Sequence, residues 1–220
     1  SKNSIQIGVK LLKNQWKEAV DLILSPKKYD MKRNHPNAIS FNDSMKQWNE
    51  TQDAKKVFEK FEYKYTPEGM LLKGLCQCKS NDYLNALCKF MPRNMRLMYI
   101  HSYQSYLFNK AASHRIETYG LKVVIGDLLL LNSDESDILQ ETEDDRESEH
   151  EYNVLTPIYA DENNINKASI YDIVLPLPGK TTVYPRNEIG QFYNNLLAEN
   201  ELTHNDFDVK SKLWMLHGSY

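Results

Sequence analysis

The sequence predicts a helix-rich α+β fold with a small sheet late in the chain, and three observations carry that prediction. Over roughly the first 120 residues apolar side chains recur every three or four positions, the period of an amphipathic helix. Between Arg93 and Tyr119 neither Pro nor Gly interrupts the pattern, so one long helix is expected there, with Gly120 as a left-handed C-terminal stop. After Gly120 the period shortens to β-type apolar runs separated by turn residues. The 220 residues fit one domain, or one with appendages, and the 41% hydrophobic content supports a sizeable core.

Taken in order, Ile5, Val9, Leu12, Trp16, Val20 and Ile23 predict a helix from Ile5 to Leu24, stopped by Pro26. Residues 27 to 42 read as an exposed basic loop with Lys27, Lys28, Lys32, Arg33 and His35 around Pro36. A second helix is expected from Ser44 to Phe61, with Trp48, Val57 and Phe58 turned inward. Thr66-Pro67-Glu68 starts a third, because the Thr hydroxyl can cap open N–H groups and Pro loses nothing at the first helical position. Ser80-Asn81 offers a cap for a short helix from Asp82 to Phe90, ended by Pro92. Beyond the long helix, Val123 to Ile125 and Leu128 to Leu131 read as short strands broken by a turn or bulge at Gly126-Asp127. Ser169 to Leu175 reads as another strand, closed by Pro176-Leu177-Pro178-Gly179, and Asn187 to Leu197 as a last helix.

The net charge of −3 conceals a division. Ten acidic residues and one arginine crowd Asp134 to Glu151; without them 26 Lys and Arg stand against 20 Asp and Glu. Residues 132 to 152 are too poor in apolar groups to fold alone and are expected to form an acidic mobile loop on a basic body. A basic body suits a polyanion, although such a surplus is ordinary for a globular domain.

Several function classes are disfavoured. No run of eighteen apolar residues exists, so no membrane partner is expected, and the start carries no visible secretory signal. Cys76, Cys78 and Cys88 match neither a disulfide framework nor a zinc knuckle, which points to buried thiols in a reducing, intracellular compartment, nuclear or cytoplasmic. His101-Ser102 and Ser113-His114 are helix neighbours that point apart, and no nucleophile elbow or glycine-rich phosphate loop is present. Neither a metal nor a small-molecule cofactor is expected. What remains is tyrosine: 14 copies, several beside cations, as at Arg96 to Tyr106, Lys64-Tyr65, Tyr119 to Lys122 and Tyr184 to Arg186. Aromatic faces beside cations suit unpaired RNA, while each single Tyr can equally anchor helix packing.

Three blocks then resemble the TruD family of RNA pseudouridine synthases, in particular its eukaryotic branch: RNMRLMYIHSYQSYLFN from Arg93, RIETYGLKVVIGDLLLL from Arg115 and IYDIVLPLPGKTTVYP from Ile170. The opening IGVKLLKNQWKEAVDLILSPK and the closing LHGSY are also similar to family segments, so the resemblance covers essentially the whole chain. It implies an enzyme that isomerises uridine to pseudouridine in tRNA and other RNAs without a cofactor, with a catalytic fold interrupted by an insertion and RNA in the cleft between. The family's Lys-Asp motif and its Gln-Arg-Phe-Gly motif are both missing here. Residues 1–220 are therefore expected to be the insertion domain, with a helical part at 1–120 and a strand-containing part at 121–220, inactive by itself, whose termini lie near each other.

On that resemblance the RNA-binding or cleft-lining candidates are Arg93, Arg96, Tyr103, Ser105, Phe108 and Asn109, the last fixing local backbone through its side chain. Gly126, Asp127, Pro178 and Gly179 are expected as structural turns, and no catalytic residue is assigned. The competing reading is a non-catalytic helical module that binds protein.

Overall fold

The first expected helix is two. In the computed structural model, which describes residues 2–28, 38–130 and 156–208, α1 covers Lys2–Leu12 and α2 covers Trp16–Ile23. Asn14 between them adopts φ 57°, and the Gln15 N–H donates to the Lys10 carbonyl at 2.9 Å, a left-handed helix stop that Asn tolerates. The second expected helix divides in the same way into α3 (Ala38–Thr51) and α4 (Ala54–Lys60), with Gln52 at φ 51°. Asp53 then caps α4 by accepting from the Lys56 N–H at 3.0 Å.

Helix α5 (Pro67–Gln77) starts as expected, with the Thr66 hydroxyl accepting from the Gly69 N–H. Helix α6 (Tyr83–Phe90) is capped by Asp82 and not by Ser80-Asn81, the carboxylate accepting from the Asn85 N–H at 3.2 Å. Helix α7 runs over Arg93–Tyr119, and Gly120 at φ 61° ends it. Strands β1 (Leu128–Leu129), β2 (Ile158–Tyr159) and β3 (Ile173–Val174) form an antiparallel sheet in the order β2-β1-β3. Leu128 faces Tyr159 on one side and Val174 on the other. The strand expected from Ser169 is shorter, because Ile170–Asp172 is a 3₁₀ turn held by a Ser169–Asp172 capping box, and residues 123 to 125 are not strand. Helix α8 (Glu188–Ala198) and a 3₁₀ turn at His204–Phe207 complete the described chain.

The chain divides into two compact units. The first comprises Ser1–Tyr106, Pro178–Lys180 and Leu197–Tyr220; the second comprises Leu107–Leu177 and Thr181–Leu196. Leu11, Leu12, Val20, Leu24, Met45, Leu71 and Leu72 are fully inaccessible and make the first unit's core. Phe41, Phe61 and Tyr63 pack tilted or edge-on at 5.6 to 5.9 Å beside it. In the second unit Leu129, Ile189 and Tyr193 are fully buried, Leu128 is 1% exposed, and Tyr193 donates its hydroxyl to the Pro176 carbonyl at 2.9 Å.

The acidic segment at 132–152, most of the basic segment at 27–42, the closing LHGSY and both termini lie outside the described residues, except that residues 38–42 are helical. No helix among the described residues is long and apolar enough to cross a membrane, and no cluster of His, Cys, Asp or Glu there could hold a metal ion. Of the three thiols only Cys88 takes a core position; Cys76 is exposed and Cys78 intermediate.

Candidate nucleic-acid interface

The face that α7 buries explains most of the site. Arg96, Ile100, Tyr103, Leu107, Ala111 and Arg115 are all at most 2% exposed, and their spacing of three or four residues puts them on one stripe. The stripe is apolar in the middle and ends in an arginine on each side. Both arginines collect backbone carbonyls at a helix C-terminus, where carbonyls lack intrahelical partners.

Arg96 is fully buried, and its Nη1 donates to the carbonyls of Leu87, Cys88 and Met91 at 3.1, 2.6 and 3.0 Å, closing the end of α6. Burial lowers its pKa from the usual arginine value. The side chain, expected as an RNA-binding or cleft-lining group, is thus placed in the first unit's core. Tyr103, expected in the same role, is placed in that unit's interior as well. It is fully buried, stacks on Phe207 at 6.2 Å and on Tyr106 at 6.4 Å, and accepts from Asn200 Nδ2 at 3.4 Å. Burial pushes its phenol up to about 12. Tyr103 also lines an open cavity of about 720 Å³, together with Lys10, Lys13, Tyr106 and Glu201.

Arg93, Ser105 and Asn109 are exposed, and Phe108 is half-buried. These four candidates keep accessible surface on α7. In the first unit, Gln104 donates to the Pro178 carbonyl at 2.7 Å, which fixes the buried Pro178 and its neighbour Gly179 against the helix.

In the second unit Gly126 and Asp127 form a turn with a larger role than chain reversal. Asp127, 1% exposed, accepts from Arg115 Nη2 at 2.7 Å and Nε at 3.4 Å, from the Val124 N–H at 3.0 Å and from Asn187 Nδ2 at 3.0 Å. Arg115 also donates to the carbonyls of Gly120 and Lys122 at 2.9 and 2.6 Å, so the end of α7 and the turn share one cation. Gly126 adopts φ 86°, and a Cβ there would lie 2.9 Å from the Arg186 carbonyl carbon. Only glycine allows both the left-handed backbone and that approach. Its carbonyl accepts from the Arg186 N–H at 2.8 Å. Residues 126–127 and 186–187, about sixty positions apart, are thereby joined pairwise.

Sequence reasoning missed Arg115, Asn187 and Arg186 as part of this arrangement. Arg115 could have been found from its place in phase with Ile100, Tyr103, Leu107 and Ala111. No local signal marks Asn187, whose partner lies 60 residues away.

Comparisons with known proteins agree on one family. The family model described as tRNA pseudouridine synthase D (TruD) matches residues 2–220. The human pseudouridylate synthase 7 homolog is 34% identical over 215 residues, covering 98% of this chain and 28% of the human protein. The multisubstrate pseudouridine synthase 7 of Schizosaccharomyces pombe is 34% identical over 221 residues, 97% of this chain and 31% of that protein. A solved TruD structure from Methanosarcina mazei superposes with a TM-score of 0.70 at 18% identity, covering 98% of this chain and 46% of that one. The fold is thus shared with that structure, and this chain spans less than a third of the length of these two curated relatives. A match of this extent settles the family: the chain belongs to the TruD family.

Proposed function

We propose that this chain is the RNA-gripping insertion domain of a pseudouridine synthase, inactive by itself because the catalytic aspartate belongs to another part of the parent enzyme. The observation that carries the reading is a match to one family along residues 2–220 in a chain that spans 28% of its human relative and has neither a Lys-Asp pair nor Gln-Arg-Phe-Gly. The parent isomerises uridine in tRNA or other RNA: the glycosidic bond breaks, the uracil rotates, and it rejoins the ribose through carbon. A base must leave its stack to be reached, at a cost of a few kcal/mol that contacts to the flipped base and grip on the backbone offset.

In this reading the chain supplies grip and one wall of the cleft. Arg93 provides a cation, and Ser105, Phe108 and Asn109 provide polar and aromatic contacts along α7. Arg96 and Tyr103 hold the helix in place from beneath. Gly126, Asp127, Pro178 and Gly179 set the turns that position it. The chain contributes no cofactor chemistry.

A second reading, a protein-docking module, is favoured by exposed apolar side chains in the second unit: Leu121 is 70% exposed, Ile125 58% and Tyr171 93%. The experiment that tests the first reading compares pseudouridine formation in tRNA transcripts by the full-length enzyme and by the 220-residue chain. The expected outcome is product from the former and none from the latter. Turnover by the chain alone would contradict it.

A further inference from the structure

Four cations lie over aromatic rings among the described residues, and three of them also meet an acceptor. Lys27, 5.0 Å from the Phe41 centroid, is ion-paired with Glu68. Lys64, 3.7 Å from the Phe58 ring, donates to the Phe58 carbonyl. Arg115, 5.6 Å from Tyr119, is held by Asp127 and two carbonyls. Arg186 differs. Its guanidinium sits 3.9 Å over the Tyr159 ring, the residue is exposed, and no side-chain hydrogen bond or ion pair engages it among the described residues.

The platform beneath it is fixed at both ends. Tyr159 stands in β2, its backbone paired to Leu128, and its hydroxyl donates to the Tyr184 carbonyl at 3.3 Å. Pro185 presets the backbone before Arg186. The Arg186 N–H is bound to Gly126 at 2.8 Å, through an approach that glycine alone permits. One face of the guanidinium is therefore covered by a ring, on a residue that is exposed and whose side-chain donors engage no acceptor among the described residues. An arginine so placed gives up little freedom when it binds.

We propose that Arg186 on Tyr159 is a stacking platform for an unpaired nucleobase of the RNA substrate, with the guanidinium edge donating to an adjacent phosphate. The proposal rests on the RNA reading above and adds a site to it. A planar delocalised cation stacks on a base as an aromatic ring does, and its fork of donors matches a phosphate. Bases inside a duplex have both faces covered, so the platform selects loops and single strands.

The test is binding of the full-length enzyme and its Arg186→Lys and Arg186→Ala variants to two labelled RNAs, one with a single-stranded loop and one fully paired, across a salt series. Arg186→Lys keeps the charge but loses the plane; loop binding should weaken about ten-fold with an unchanged salt slope, and duplex binding should hold. Arg186→Ala should weaken loop binding further and reduce the slope by about 0.7. Melting curves verify that these exposed substitutions leave the fold intact. Loop binding by Arg186→Lys equal to the unsubstituted enzyme would overturn the stacking platform, as would two variants that bind like the parent. Absence of RNA binding by the unsubstituted enzyme would overturn the RNA reading itself, and the platform with it.

Discussion

Replacing Asp127 with Ala should destabilise the second unit more than any exposed substitution. The carboxylate is 1% exposed and faces a guanidinium that is 2% exposed, so its removal leaves a buried cation with two carbonyls and the Tyr119 ring but no counter-charge. Breaking a buried pair by removing one partner costs about 3–5 kcal/mol, a large share of the roughly 5–15 kcal/mol that holds a domain together. The Val124 N–H and the Asn187 amide each lose an acceptor as well, about 1 kcal/mol apiece, and these losses overlap with the first. Asp127→Asn keeps the shape and an acceptor oxygen and should cost less. Urea unfolding followed by circular dichroism measures the loss, and hydrogen exchange locates it at β1 and the second half of α7. The double variant Arg115→Ala/Asp127→Ala should cost no more than the worse single, since the charge left stranded is then gone. A cost below about 1 kcal/mol for Asp127→Ala, or strict additivity in the double variant, would refute the coupling of Asp127 to Arg115.

Other outcomes follow from the same structure. Arg96→Ala should cost about 2–4 kcal/mol in stability, because three carbonyls each lose a donor, while the folded fraction keeps its RNA affinity; a selective loss of affinity would make Arg96 a contact. Burial lowers the His204 pKa below the usual 6.5, so the unfolded state takes up a proton first as the pH falls. Its stabilising contribution is full above that value and is lost as the pH drops through and below it; His204→Gln should flatten the melting temperature between pH 7 and 5 relative to the parent. Desolvation pushes the Cys88 thiol up to about 11, whereas Cys76 is exposed, so alkylation at neutral pH followed by peptide mapping should label Cys76 first and spare Cys88 until unfolding.

Local signals were readable in the sequence wherever one element decided the outcome. Helix α7 follows from 27 residues without Pro or Gly, and its end from Gly120; the Thr66 cap is equally direct. The breaks at Asn14 and Gln52 were not visible, because apolar spacing runs through both and only a left-handed backbone at one residue divides the helix. Strand β3 contracts to two residues because Ser169 to Asp172 prefers a side-chain capping box to a ladder.

The site was legible in its blocks but not in its roles. Arg96 reads as a surface cation beside tyrosines, yet it lies in phase with Ile100 and Leu107, and phase outweighs charge when carbonyls at the end of α6 need a donor. The Gly-Asp turn reads as chain reversal; its partners at Arg186 and Asn187 come from a long-range contact that no local pattern encodes. The family resemblance marked the block that holds the turn and a block that ends at Pro185, just short of these partners.

The central claim, that this chain grips RNA through exposed cations while another part of the enzyme does the chemistry, is tested most directly by binding of the 220-residue chain to labelled tRNA across a salt series. Arg93→Ala is the informative variant, since Arg93 is exposed, and circular dichroism establishes that both proteins are folded. The account predicts affinity that falls steeply with salt and a slope reduced by about 0.7 to 0.9 in Arg93→Ala. Salt-independent binding, or no binding at low salt by the folded chain, would contradict it.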